Sequence, residues 1–145
     1  LSDAGRISPW LLAGALALAL APLAVVHPVR ISGRSMEPLI RNGDVRLALR
    51  AWCSGRPAPG EVWLVRTPTG PAVKRLVALP SSRVELRDGD LVVNDRVVPE
   101  PYVQGAERGA SGPWNTGEGY FFLGDNRRES HDSRAWGSLP SGHLE

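Results

Sequence analysis

From residue 10 to residue 26 the chain reads WLLAGALALALAPLAVV, 17 positions without a charge. That length suits a bilayer span, which takes roughly 17 to 25 apolar residues, better than a signal-peptide core of about 7 to 15. A removable leader also needs a small-x-small triplet after the apolar run. The last such triplet, Ala19-Leu20-Ala21, lies inside the run and is followed by Pro22, which disfavours processing. The pattern predicts a short tail over 1–9 and an uncleaved transmembrane anchor over 10–27. Trp10 falls where a membrane interface is expected.

After Pro28 the period changes. "DVRLALR" at 44–50 alternates Val45, Leu47 and Leu49 with polar or small residues, the pattern of a half-buried strand. "EVWLVR" at 61–66 and "AVKRLVAL" at 72–79 read as further strands. "RVELRDGDLVVNDRVV" at 83–98 reads as a hairpin and a further turn, with Asp88-Gly89 as its first turn signal. "GYFFLGDN" at 119–126 is a strand running into a turn. Residues 101–118, rich in Gly, Pro, Ser and Asn, read as a long loop. No repeat and no amphipathic helix follows the apolar segment. The expected fold is mainly β: an antiparallel β-sheet domain over 28–145 behind one N-terminal transmembrane helix.

Composition narrows the chemistry. A chain of 145 residues suits one compact domain. The net charge is +2 and the basic residues are scattered, so no nucleic-acid stripe is present. One cysteine, Cys53, excludes an intrachain disulfide and a cysteine-built zinc site; a partly buried small residue is expected there. His27, His131 and His143 lie far apart without metal-ligand spacing, and no cofactor is called for. Arg30, Arg34 and Arg41 follow the apolar run, whereas Arg6 is offset by Asp3 before it. Taken alone, the positive-inside rule puts the body in the cytoplasm, but whole domains are translocated largely regardless of charge.

Of the 17 basic residues only Lys74 is a lysine. On a strand it shares a face with Ala72, Leu76 and Ala78, while Arg75 points the other way with Val73 and Val77. Most strand lysines are solvated. Arginine, however, stays charged and cannot act as a base, whereas a buried lysine is pushed towards its neutral amine and can take a proton from a serine. "ISGRSMEPLI" at 31–40 offers Ser32 and Ser35, either of which could equally be a cap or turn residue. In "GDNRRESHDSRAWGSLP" at 124–140, Ser130, Asp132 and Arg134 alternate. Extended, they share a face, where Asp132 and Arg134 could pair and Ser130 could hold an amine. A structural salt bridge in a surface loop is the plain alternative.

Together "SGRSMEP", "KRLVALP" and "GDNRRESHDSRAWGSLP", in that order, resemble the bacterial type I signal peptidases (leader peptidases), membrane-bound serine proteases with a Ser–Lys dyad. "DGDLVVNDRVVPEPYV" also looks like the family's intervening hairpin. The resemblance covers about residues 10–140 and implies a sheet of the signal peptidase/LexA type. It implies Ser35 as nucleophile, Lys74 as general base, Ser130 as the hydroxyl orienting the amine, Asp132 and Arg134 as a supporting ion pair, and Met36 as part of the pocket floor. The position two before the nucleophile, where some members carry a hydroxyl, is Gly33. Ala78, Leu39, Leu139 and Ser81-Ser82 depart from the usual residues without touching this chemistry. The implied substrates are secretory preproteins cut after small-x-small (Ala-x-Ala) sites. The implied location is the cell membrane, single-pass, with a cytoplasmic N-terminus and an extracytoplasmic catalytic domain in contact with lipid. Rival readings are a dedicated maturation protease with the same dyad, a LexA-type self-cleaving repressor, and an inactive membrane-anchored β-module. The membrane segment and the lack of a helix-turn-helix pattern oppose the repressor. A Ser-His-Asp triad through His131 is disfavoured, because adjacent strand residues face apart.

Overall fold

The computed structural model describes residues 8–105 and 109–145. Most of the expected tail at 1–9, with Asp3 and Arg6, lies outside them. Helix α1 (Pro9–Val25) begins with proline, which tolerates the first helical position because its missing N–H has no intrahelical partner there. It ends two residues before the expected limit of 27, because Val26 and His27 already belong to strand β1 (Val26–Arg30). Among the described residues no helix is long and apolar enough to cross a membrane.

The rest is antiparallel β-structure in three sheets. β1 pairs with β2 (Val45–Leu49) as a separate two-stranded sheet. β3 (Val62–Thr67), β4 (Gly70–Ala78) and β9 (Phe121–Leu123) form the second, with β4 central. The third runs β7-β6-β5-β8, built from β5 (Arg83–Arg87), β6 (Asp90–Val93), β7 (Arg96–Val98) and β8 (Ala110–Asn115). Its two tight turns, Asp88-Gly89 and Asn94-Asp95, hold both central residues at positive φ, the backbone twist that fits a two-residue hairpin. Helix α2 (Ser133–Trp136) is a single turn.

The core explains why β4 and β9 are buried on both faces. Phe121 and Leu123 of β9 join Val77, Ala78, Val84, Leu86 and Leu91 in one apolar cluster against the third sheet. Phe122, pointing the other way, joins Trp63, Val65, Leu76 and Leu139 in a second. Side chains alternate along a strand, so a strand between two clusters has no face left for water.

Three expectations are corrected. The loop expected over 101–118 contains strand β8, since "ASGPWN" takes the free edge of β5. The alternation in β2 does not mark a buried face: Val45, Leu47 and Leu49 are exposed, because no layer covers the β1–β2 pair on that side. Cys53 is exposed on a short turn after β2.

Candidate active site

Lys74 sits mid-strand on β4, in register with Trp63 of β3, and is 4% exposed. Its Nζ lies 2.6 Å from Ser35 Oγ, to which it donates a hydrogen bond. Burial is the main reason its pKa is lowered from 10.5; the Arg134 guanidinium adds to this, while the Asp132 and Asp125 carboxylates oppose it. A desolvated amine against a hydroxyl is the arrangement in which a neutral lysine can accept the serine proton.

Ser35 reaches this point on a turn-rich segment after β1. Gly33 takes φ +98, a region that penalises any Cβ, and its N–H donates to Asn42 Oδ1 at 3.0 Å. Met36, the residue after Ser35, is 1% exposed and anchors the turn in the interior. The Ser35 carbonyl accepts from the Asn126 N–H at 2.9 Å, and the Arg34 carbonyl from Asn126 Nδ2 at 3.3 Å. Ser32, the other candidate, is exposed.

The segment after β9 closes the site from behind. Asp132 is fully buried. Its carboxylate accepts from the Gly124 N–H (3.1 Å) and the Arg134 N–H (3.2 Å), and pairs with the Arg134 guanidinium at 2.8 and 3.0 Å. The pair is therefore made, but not on an extended segment. Asp132 caps α2, and Arg134 folds back from that helix to donate to the carbonyls of Arg127 and Ser130. Ser130 Oγ is buried without a hydrogen-bond partner and makes no bond to Lys74. A Cβ on Gly124 would collide with Ser130 and come within 2.6 Å of the Ser35 carbonyl, so glycine is what lets these segments meet. His131 is exposed and Asp132 is fully engaged elsewhere, which leaves no serine–histidine–aspartate relay.

A sequence model of the family described as "Signal peptidase, peptidase S26" matches residues 6–145. The chain belongs to this signal peptidase family. Signal peptidase I U of Bacillus subtilis is 31% identical over 132 residues, covering 82% of this chain and 71% of that protein. Signal peptidase I of Bacillus licheniformis is 30% identical over 142 residues, covering 86% and 76%. Thylakoidal processing peptidase 1 of Arabidopsis thaliana is 33% identical over 132 residues; these cover 81% of this chain but only 39% of that protein. Among solved structures, a signal peptidase I of Enterococcus faecalis aligns with a TM-score of 0.51 at 29% identity, covering 62% of this chain and 94% of that one. The mainly antiparallel β architecture matches that fold.

Two residues that sequence reasoning assigned no role in the site belong to the same constellation. Arg75, which strand alternation puts on the face away from Lys74, is buried and paired with Asp125 at 2.8 and 2.6 Å. Its remaining nitrogen donates to the Gly60 carbonyl at 2.6 Å. Asp125 raises the Arg75 pKa further. The available signal was adjacency: Arg75 follows Lys74, and Asp125 lies inside the long C-terminal motif.

Proposed function

We propose that this signal peptidase family member is a membrane-bound serine endopeptidase that removes N-terminal signal peptides from secretory preproteins after small-x-small sites, with Ser35 and Lys74 as a catalytic dyad. The observation that carries the reading is the buried Lys74 amine 2.6 Å from Ser35 Oγ. With the amine neutral, Ser35 Oγ attacks the scissile carbonyl carbon and its proton passes to Lys74 Nζ. The Ser35 backbone N–H donates to the developing oxyanion. The C–N bond then breaks, Lys74 returns the proton to the leaving amine, and an acyl-enzyme ester remains. Water attacks the ester, gives a proton to Lys74, and Ser35 is released as the alcohol with its proton restored. Asp132, Arg134 and Gly124 hold the two segments in place.

An apolar groove of about 590 Å³ between β2 and β3 offers a surface for an apolar stretch of peptide. It is bordered by Ile31, four residues before Ser35, and by Val73 and Trp63, the neighbour and register partner of Lys74. Leu47 and Leu49 of β2 also line it, whereas Ser35 and Lys74 lie outside its lining. Met36 closes the interior side beside the nucleophile.

Membrane attachment is part of the proposal. α1 is apolar all round, with Trp10, Leu11, Leu12, Leu16, Leu18 and Leu20 exposed. Its 17 residues measure about 26 Å, short of the roughly 30 Å hydrocarbon thickness by a gap that local thinning of the bilayer can close. The chain passes directly from α1 into β1, and β1 pairs with β2, whose Val45, Leu47 and Leu49, with Trp52 beyond, extend the exposed apolar surface. We place the N-terminus in the cytoplasm and the catalytic domain outside it, resting on lipid.

The test is cleavage of a preprotein bearing an Ala-x-Ala site by detergent-solubilised wild type, Ser35→Ala and Lys74→Ala. Cleavage at that site by wild type alone, with folded but inert variants, supports the reading. Inactivity of wild type on several such preproteins would favour a dedicated maturation protease or an inactive module.

A further inference from the structure

The segment after β7 crosses the back of the site as a strap. Tyr102 lays its ring on the Arg75 guanidinium, 3.9 Å from ring centroid to carbon, covering the face that Asp125 and Gly60 leave open. The Tyr102 hydroxyl donates to Glu100 at 3.0 Å, and the other Glu100 oxygen takes Arg127 at 2.5 Å. Both partners of that second pair are buried, with side chains 6% and 2% exposed. Arg127 also donates to the Gly124 carbonyl at 3.1 Å. The strap backbone is tied to the same loop: the Gln104 N–H donates to the Asp125 carbonyl, and the Arg127 N–H to the Gln104 carbonyl.

What this strap covers is informative. Arg75 is the residue after Lys74. Asp125 is the residue before Asn126, whose N–H holds the Ser35 carbonyl. One buried ion pair thus joins the strand of the amine to the loop that holds the hydroxyl, and the strap keeps water from it. A surface ion pair tolerates variable geometry, whereas a desolvated bidentate pair closed on its open face holds one distance.

We propose that Tyr102 and Glu100 are positioning residues, acting through Arg75–Asp125 to hold Ser35 Oγ against Lys74 Nζ and to keep Lys74 dry. This rests on the peptidase reading above, but one readout does not. Because Lys74 is the only lysine, a ¹³C label on the lysine ε-carbon gives one resonance whose titration reports this amine without any substrate.

The experiment takes the full chain in detergent as wild type, Tyr102→Leu, Tyr102→Phe and Glu100→Gln. It measures kcat and KM on a small-x-small peptide across pH, together with the lysine titration. Tyr102→Leu is expected to lower kcat by about tenfold or more, because sub-ångström misplacement of reacting groups is costly, with KM changed by less than about twofold. Its lysine titration and the acid limb of its rate profile should move together to higher pH, as water reaches the amine. Tyr102→Phe keeps the ring on the guanidinium and should recover most of kcat. A folded Tyr102→Leu with wild-type kcat and an unmoved lysine titration overturns the proposal. So does a Tyr102→Phe that is as impaired as Tyr102→Leu. If Tyr102→Leu does not fold, Glu100→Gln decides: a lowered kcat with a shifted lysine titration supports the strap, and wild-type values for both overturn it. Failure of wild type to cut would count against general signal-peptide removal, while the lysine titration would still judge the strap.

Discussion

Sheets β1–β2 and β3–β4–β9 place their residues in opposite ways. β2 carries Val45, Leu47 and Leu49 at 65, 73 and 53% exposure, whereas β4 buries Lys74 and Arg75 at 4 and 7%. Apolar side chains face outwards in one, charged ones inwards in the other. The difference lies in what stands opposite. β4 is covered on both faces and has specific partners there, a hydroxyl for Lys74 and a bidentate carboxylate for Arg75. β2 has no covering layer and lies beside an apolar helix. Departures of this kind from the usual inside–outside rule are expected where function depends on them.

The largest break in the comparison is removal of the dyad. Ser35→Ala, Lys74→Ala and Lys74→Arg should each lower kcat/KM by about a thousandfold or more while circular dichroism stays that of wild type, since arginine cannot give up a proton. A Lys74→Arg enzyme of near wild-type activity would sink the base assignment. Next comes the second buried charge. Asp125→Ala leaves Arg75 buried and unpaired and should cost about 3–5 kcal/mol in chemical denaturation. Gly124→Ala pushes Ser130 and the Ser35 main chain apart and should cost about a hundredfold in kcat, read from steady-state kinetics on folded protein.

The pH profile sharpens the same contrast. Only the neutral amine can accept the serine proton, and burial lowers the Lys74 pKa below 10.5. Activity should therefore be lost at acid pH and rise as pH climbs through this lowered value, well before an exposed lysine would titrate. The stability term has a definite sign as well. Between the folded pKa and 10.5 the unfolded chain binds the extra proton, so this group makes stability increase with pH over that window. Lys74→Met should remove that dependence in denaturation measured across pH. The smallest expected effect is on the exposed sheet. Leu47→Ser with Leu49→Ser should change stability in detergent by no more than about 0.5 kcal/mol, read from chemical denaturation. A large loss of stability instead would show that β2 faces a protein layer.

Much of the site was legible because its parts are local. The lone lysine, the two serines before Met36 and the Ser130–Asp132–Arg134 spacing can all be read off the chain. Arg75 was assigned only by alternation, to the face away from the lysine, because its carboxylate partner lies 50 positions away. Glu100 and Tyr102 lie within the "DGDLVVNDRVVPEPYV" stretch that resembles the family, but nothing in their spacing tied them to Arg127 or Arg75. The reason given for the Asp132–Arg134 pair was incomplete for the same cause: whether the segment is extended or turns into α2 depends on Asp132 capping that turn beneath Gly124.

What the sequence determined by itself is the order of its elements. It specified the apolar start, the strand-and-turn rhythm after Pro28, the Asp88-Gly89 hairpin, and the residue types able to attack a carbonyl and take a proton. These follow from side-chain period and backbone preference, which act over a few neighbours. The tertiary structure decided that β4 is dry on both faces, that "ASGPWN" is a strand, that β2 lies uncovered, and that Ser35 meets Lys74. Burial and pairing are set by what lies across from a residue, and in this chain those partners lie tens of residues away. A lysine becomes a base only when distant segments take its water away.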